Sequence, residues 1–218
     1  MKQLAFAFIF ISLSFQAYTQ ELKFGVYLAP QVSWLLPEAK DVQSNGNLLR
    51  ISGGLAIDRY FAKNYAFSTG LAIGSQGGYL LYDGSSSRTL QVYDSTYAMA
   101  GKSVKYQLHY LSLPLGLKLR SNEIGYMRFH VVLGFQNQFL LKAKGTDETD
   151  NAFQDDSIRE SLANYNLGYY FGGGIDYALG EDTSLFFTIV YDNGFIDILK
   201  NNPPTNTRGL GLRVGINF

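Results

Sequence analysis

The clearest signal along this chain is a period of two. In residues 111–120, Leu111, Leu113, Leu115, Leu117 and Leu119 alternate with Ser112, Pro114, Gly116, Lys118 and Arg120. Residues 127–141 put Met127, Phe129, Val131, Leu133, Phe135, Phe139 and Leu141 on one parity. Arg128, His130, Gly134, Gln136 and Gln138 fall on the other. The same alternation runs through 165–179 and, to the last residue, through "GLGLRVGINF" (209–218). It is weaker in 49–58 and 67–74, while 184–191 is apolar on both parities. No stretch shows a convincing helical period. Side chains of a strand point alternately to opposite faces, so these segments read as strands, each with one apolar face. Eight are expected, at about 22–36, 47–61, 65–82, 104–120, 125–142, 163–179, 183–193 and 207–218.

The connections add an order. The second and third strands, the fourth and fifth, and the sixth and seventh are joined by tight turns such as Ala62-Lys63-Asn64 and Gly180-Glu181-Asp182. The remaining stretches, 37–46, 83–104, 144–162 and 194–206, are long and rich in Ser, Asn, Asp and Gly. Short and long alternate strictly. In an up-and-down meander, that places every short turn at one end and every long loop at the other. The second long stretch, with Tyr93, Tyr97 and Met99, is expected to carry the strands upward as a hairpin. Phe195-Ile196-Asp197-Ile198-Leu199 in the fourth is expected to pack on other loops.

Eight such strands fit either a soluble lipocalin-like carrier, apolar inside, or an outer-membrane barrel, apolar outside. The composition of the less apolar face decides. It holds Gly, Ser, Ala and Tyr with scattered charges, which suits a narrow filled lumen and not a soluble exterior. Charged residues are 17% of the chain, below the roughly 25% of an average soluble domain. Aromatics near strand ends (Trp34, Tyr60, Phe61, Tyr126, Tyr165, Tyr169, Tyr177) are placed as interfacial girdles would be. The reading is an all-β fold: an eight-stranded antiparallel up-and-down transmembrane β-barrel over residues 21–218, multi-pass in a Gram-negative outer membrane.

Residues 1–20, MKQLAFAFIFISLSFQAYTQ, have a basic start, a short apolar run and small residues at Ala17 and Thr19, as in a secretory signal peptide. The absence of Cys excludes disulfides, a thiol nucleophile and lipoprotein acylation. Zero formal net charge gives no nucleic-acid footprint.

Polar chemistry is expected inside. Arg50, Asp58, Lys118, Arg128, His130, Asp176 and Arg213 fall on the inward parity and are read as a structural network filling the lumen; Arg120, Gln136, Gln138 and Asn217 share that parity. His109 and His130 match no Ser/His/Asp spacing, so no catalytic residue, cofactor or metal site is assigned. The carboxylates of 144–162 lack the EF-hand pattern and read as a solvated acidic loop. Phe218 closes the last strand on the lipid-side parity.

The residues also resemble a known family. "YLSLPLGLKL" (110–119), "FGVYLAPQVSWL" near the start, "FGGGIDYAL" and the final Gly-Ile-Asn-Phe are similar to the PorT-like outer-membrane barrel family of Bacteroidetes. The resemblance spans residues 21–218 and rests on barrel features, not catalytic ones. It implies that Phe218 and its strand serve as the signal read by the outer-membrane assembly machinery. The expected role is non-enzymatic: structural or interacting, with long extracellular loops binding a partner or assisting secretion, in contact with outer-membrane lipid. The alternatives are a narrow transport or ligand-binding barrel and a lipid-modifying enzyme.

Overall fold

The computed structural model describes residues 21–200 and 203–218. The signal-peptide reading of 1–20 lies outside the described residues. Eight long strands close a ring. They are β1 (Leu22–Pro37), β2 (Val42–Ala62), β3 (Tyr65–Tyr82), β6 (Ser103–Arg120), β7 (Met127–Asp147), β9 (Tyr165–Ala178), β10 (Ser184–Gly194) and β11 (Thr205–Asn217). Each pairs antiparallel with its neighbours, and β1 with β11 completes the circle. Three short strands, β4 (Thr89–Val92), β5 (Ser95–Ala98) and β8 (Asp156–Ser157), lie outside the ring. The closing seam runs to the end of the chain: the Phe218 amide donates to Phe24 O at 2.8 Å, and the Phe24 amide donates back at 2.9 Å. Closure leaves no open edge in the ring, which lipid requires because it offers no partner to a bare amide.

The apolar parity faces out. Val26, Leu28, Leu55, Ile73, Leu115, Phe135, Ile189 and Leu212 are all exposed, while Tyr27, Ala72, Lys118, His130 and Asp176 are buried. This is a soluble carrier turned inside out, and it rules out the lipocalin-like alternative. Girdle aromatics stand at the rims: Phe61 against Phe67 (4.7 Å between centroids) and Tyr126 near Tyr177 at the short-turn end, Phe139 against Tyr165 at the other. Tyr60 departs from the expected girdle. It points into the lumen, buried under the Arg120 guanidinium at 3.7 Å.

The loops differ most from expectation. The first is only 38–41, because β2 begins at Val42, and β7 continues to Asp147. Both extensions rise above the apolar belt, so their outer face meets water. Gln43, Asn45 and Lys142 there are exposed and polar, while Val42, Ala143 and Asp147 point in. The inward face reads as a strand only once its partner is known. β4 and β5 form the expected hairpin.

Where β2 crosses from belt to extension it bulges against β3, between Asn47 and Ser52. Ser33 of β1 bridges the gap: its Oγ donates to Gly77 O (2.9 Å) and accepts from the Gly77 amide (3.0 Å). Gly77 has φ +151°, and a Cβ there would lie 1.9 Å from the Tyr106 carbonyl oxygen. Gly77→Ala therefore meets backbone on one side and a disfavoured conformation on the other. It is expected to cost roughly 1–3 kcal/mol, read as a lower unfolding midpoint in detergent.

Candidate functional site

The interior is stacked in three tiers. At the short-turn mouth Arg120 Nη2 donates to Glu21 at 2.7 Å, and Arg128 pairs with Glu123. Arg128 is in register with Asp176, but its side chain turns to Glu123 at the rim and makes no ion pair with the expected network.

The second tier is the ionic centre. Lys118 Nζ lies 3.1 Å from Asp58 Oδ2 and 3.5 Å from Asp176 Oδ2, and all three side chains are buried. Ser68 donates to Asp58 at 2.6 Å. Strands β2, β6 and β9 supply the three charges, and they meet only because the ring closes. Above them Arg213 sits 5.4 Å from the Tyr27 ring and 5.3 Å from the Tyr170 ring, within cation–π range. Arg50 lies in register with Gln31, and its Nε and Nη2 are buried without a hydrogen bond among the described residues. The structure thus brings Asp58, Lys118, His130 and Asp176 together, turns the Arg128 side chain away to Glu123, and leaves Arg50 apart.

His130 introduces an arrangement that chain spacing concealed. Its Nε2 is 2.8 Å from Thr188 Oγ1 and its Nδ1 is 3.2 Å from Asp176 Oδ2. Hydroxyl, imidazole and carboxylate stand in the order of a hydrolytic triad. Two features argue against that chemistry. The Nδ1 contact is out of line for a hydrogen bond, so Asp176 does not hold the ring as the third member of a triad would. Asp176 is shared with Lys118, and the adjoining cavity of about 50 Å³ holds a water or two but no acyl substrate. Gly174 makes the space for the ring: a Cβ there would stand 2.8 Å from His130 Nε2. No group of three His, Asp or Glu side chains among the described residues is placed to hold a metal ion.

The third tier is a polar chamber of about 40 Å³ bordered by Gln31, Ser52, Gln76, Ser112, Gln138 and Asp192. Gln76 Nε2 donates to Asp192 at 3.2 Å, and Asn166 Nδ2 to Gln138 at 2.9 Å.

Above the chamber lies the largest apolar core of the molecule, outside the belt. Leu80, Tyr82, Val104, Tyr106 and Leu108 from the strand extensions pack with Leu90, Val92 and Met99 of the hairpin, Phe153, Ile158 and Leu162 of the third loop, and Ile198 and Leu199 of the fourth. The packing expected of the fourth loop is realised at Ile198 and Leu199; Phe195 remains exposed, 5.2 Å from Tyr169. Polar ties bind the loops into one cap. Arg88 grips Asp41 with two nitrogens (3.1 and 3.3 Å), and Ser161 Oγ accepts from the Gln91 amide (2.9 Å). Tyr82 and Tyr106 share a hydroxyl hydrogen bond of 2.6 Å.

Lys102 Nζ meets the fully buried Asp147 at 2.5 Å and Asp150 at 3.4 Å, in the cap. Burial pushes the Asp147 carboxyl up. The hydrogen bonds from Lys102 and from the Thr149 and Asp150 amides outweigh it and hold Asp147 below the usual carboxylate range. A depressed carboxyl stabilises the fold above its unfolded value and loses that contribution as pH falls through the folded value. Hydrogen-exchange protection of residues 89–99, corrected for intrinsic rate, is expected to hold from pH 7 down to about 4 and to fall below it. Lys102→Met removes the largest of the contacts that lower Asp147 while its burial remains, and should move the loss of protection to higher pH.

The profile of the family described as "Outer membrane protein beta-barrel domain" matches residues 14–200. No curated protein matches the chain in sequence. Similar solved structures include the attachment invasion locus protein Ail of Yersinia pestis in complex with the heparin analogue sucrose octasulfate (14% identity, 91% of this chain and 99% of that one, TM-score 0.46). Neisserial surface protein A (12%, 89% and 95%, 0.48) and a major outer membrane protein from Thermus thermophilus (15%, 91% and 99%, 0.47) are others.

Proposed function

From the premise that the chain belongs to the outer-membrane β-barrel domain family, we propose that it is a non-enzymatic interaction protein that displays a rigid extracellular cap to a partner. The finer placement we propose is the PorT-like group of Bacteroidetes, with a partner at the cell surface or in secretion. One observation carries this reading: the main apolar core lies above the membrane belt and is built from strand extensions and three loops. Ordered loops lose little entropy on binding, so a pre-folded platform suits recognition. Its outer surface presents Tyr93, exposed at the hairpin tip in a left-handed conformation (φ 48°), and Phe195.

The lumen supports a structural role in this reading. In the producing cells, Tyr93→Asp with Phe195→Asp is expected to reproduce the phenotype of deleting the protein, while His130→Ala is expected to leave it unchanged. The reverse pattern would favour a lipid-modifying enzyme or a transport path through the lumen.

Within the ionic centre, Asp176→Leu leaves Lys118 one carboxylate, Asp58, and removes the ionic neighbour of His130. It is expected to lower stability by about 1–3 kcal/mol, read as a lower unfolding midpoint in lipid or detergent. Phe218 and its strand are proposed as the signal read by the assembly machinery. Phe218→Ala should lower outer-membrane yield without changing the midpoint of the protein that does assemble.

A further inference from the structure

The outer faces of β6 and β7 change character within one residue step. Up to Leu141 they are apolar: Leu113, Leu115, Phe135, Phe139 and Leu141 are exposed. Just above, the outward positions turn basic. His109 pairs in register with Lys142, Gln107 with Lys144, and Lys105 with Thr146. Their inward neighbours Leu108, Tyr110 and Ala143 are buried, which fixes the basic side chains on the outside. Arg159 joins them from the third loop: its Nη1 donates to Leu141 O at 2.8 Å, at the bulge that sets Lys142 beside Leu141.

These cations crowd one another, and most of them lack an ion-pair partner among the described residues. The positive charges of Lys142 and Lys144 both act on His109. Lys105 and Lys142 have no ion-pair partner among the described residues; Lys144 has one at the distance limit, Asp155 at 3.9 Å. Asp156 of β8 is in register with Gly145, beside Lys144, and accepts the Gln154 amide; Glu160 follows Arg159 in the third loop. Across the ring, Arg208 of β11 is in register with Trp34 of β1, and its Nε donates to Asn193 at 2.9 Å. The basic ladder runs along β6 and β7.

Like charges held together repel unless something anionic sits between them. Basic residues on a juxtamembrane surface attract anionic lipid headgroups, and an apolar wall directly below offers room for acyl chains. We propose that this face is a docking surface for a phosphorylated lipid of the outer leaflet. Its phosphates are held by Lys105, Lys142, Lys144 and Arg159, and its chains lie along Phe139 and Leu141. The inference goes beyond the proposed function, since it concerns the wall of the barrel and not the cap.

The test uses the full-length barrel in detergent, titrated with diphosphorylated lipid A and with the same lipid stripped of phosphate, and read by native mass spectrometry. Binding of the phosphorylated lipid is expected to be saturable and at least tenfold tighter than that of the stripped form. It should weaken at least tenfold in K142E/K144E, and inorganic phosphate at millimolar concentration should not compete. Arg208→Glu on the opposite wall should leave binding unchanged. If K142E/K144E fails the heat-modifiable gel shift of a folded barrel, K142Q/K144Q takes its place. Equal binding by wild type and the lysine variants, equal binding of the stripped lipid, or displacement by free phosphate would each overturn the proposal.

Discussion

Lys118→Met is expected to destabilise the barrel by about 3–5 kcal/mol, the cost of leaving buried charge without its partner. The single ammonium stands between Asp58 and Asp176, each no more than 6% exposed. Removing it strands two carboxylates at once, whereas removing either acid leaves the lysine the other. The cost should therefore exceed that of Asp176→Leu. It should also be largely recovered when Lys118→Met is combined with Asp58→Leu and Asp176→Leu, because an apolar replacement of a whole buried ionic group is often neutral. Chemical unfolding of the four proteins in the same lipid gives the comparison. A single variant as stable as wild type would mean that the lumen is hydrated enough at this level to screen the charges.

The second large effect is expected in the cap. Tyr106 is fully buried among Leu80, Leu108 and the hairpin residues, and its hydroxyl is bonded to Tyr82. Tyr106→Ala removes a ring from a packed core and leaves the Tyr82 hydroxyl without its partner, at a cost of about 3–5 kcal/mol. The loss should be local. The belt below is closed by its own backbone ladder, so the heat-modifiable shift of the barrel is expected to persist while the cap opens. Protease added to intact cells should then cut within 83–102 or 148–164 in the variant and spare the wild type. Loss of the whole barrel instead would show that cap and belt fold as one cooperative unit.

The two variants also mark what sequence can carry. The strands that face lipid were legible because lipid and lumen impose opposite demands on alternate residues, and Leu111 to Arg120 records both. The direction of the faces was legible from the Gly and Tyr content of the inner parity. The cap was not. Above the belt the outer face meets water, so Val42 to Leu48 and Ala143 to Asp147 lose the contrast that marks a strand, and their partners come from loops distant in the chain. The interior charges were placed by parity, but parity gives neither height nor neighbour. Lys118 meets Asp58 and Asp176 through the register of β2, β6 and β9 in a closed ring, while Arg128, on the same parity, lies at the mouth with Glu123. Thr188 beside His130 was invisible for the same reason: the two are 58 positions apart, and Thr188 sits in a stretch apolar on both parities.

We propose that this outer-membrane barrel is closed to passage, filled at mid-lumen by the Lys118, Asp58 and Asp176 ionic centre and sealed by an apolar core above. A planar lipid bilayer holding the full-length protein tests it most directly. The predicted record has no unitary steps at moderate voltage, with steps emerging only in a variant whose hairpin 85–100 is deleted and whose Lys118, Asp58 and Asp176 are replaced by alanine. Regular ohmic steps from the wild-type protein would contradict a sealed lumen and make the polar chamber near Asp192 part of a transport path.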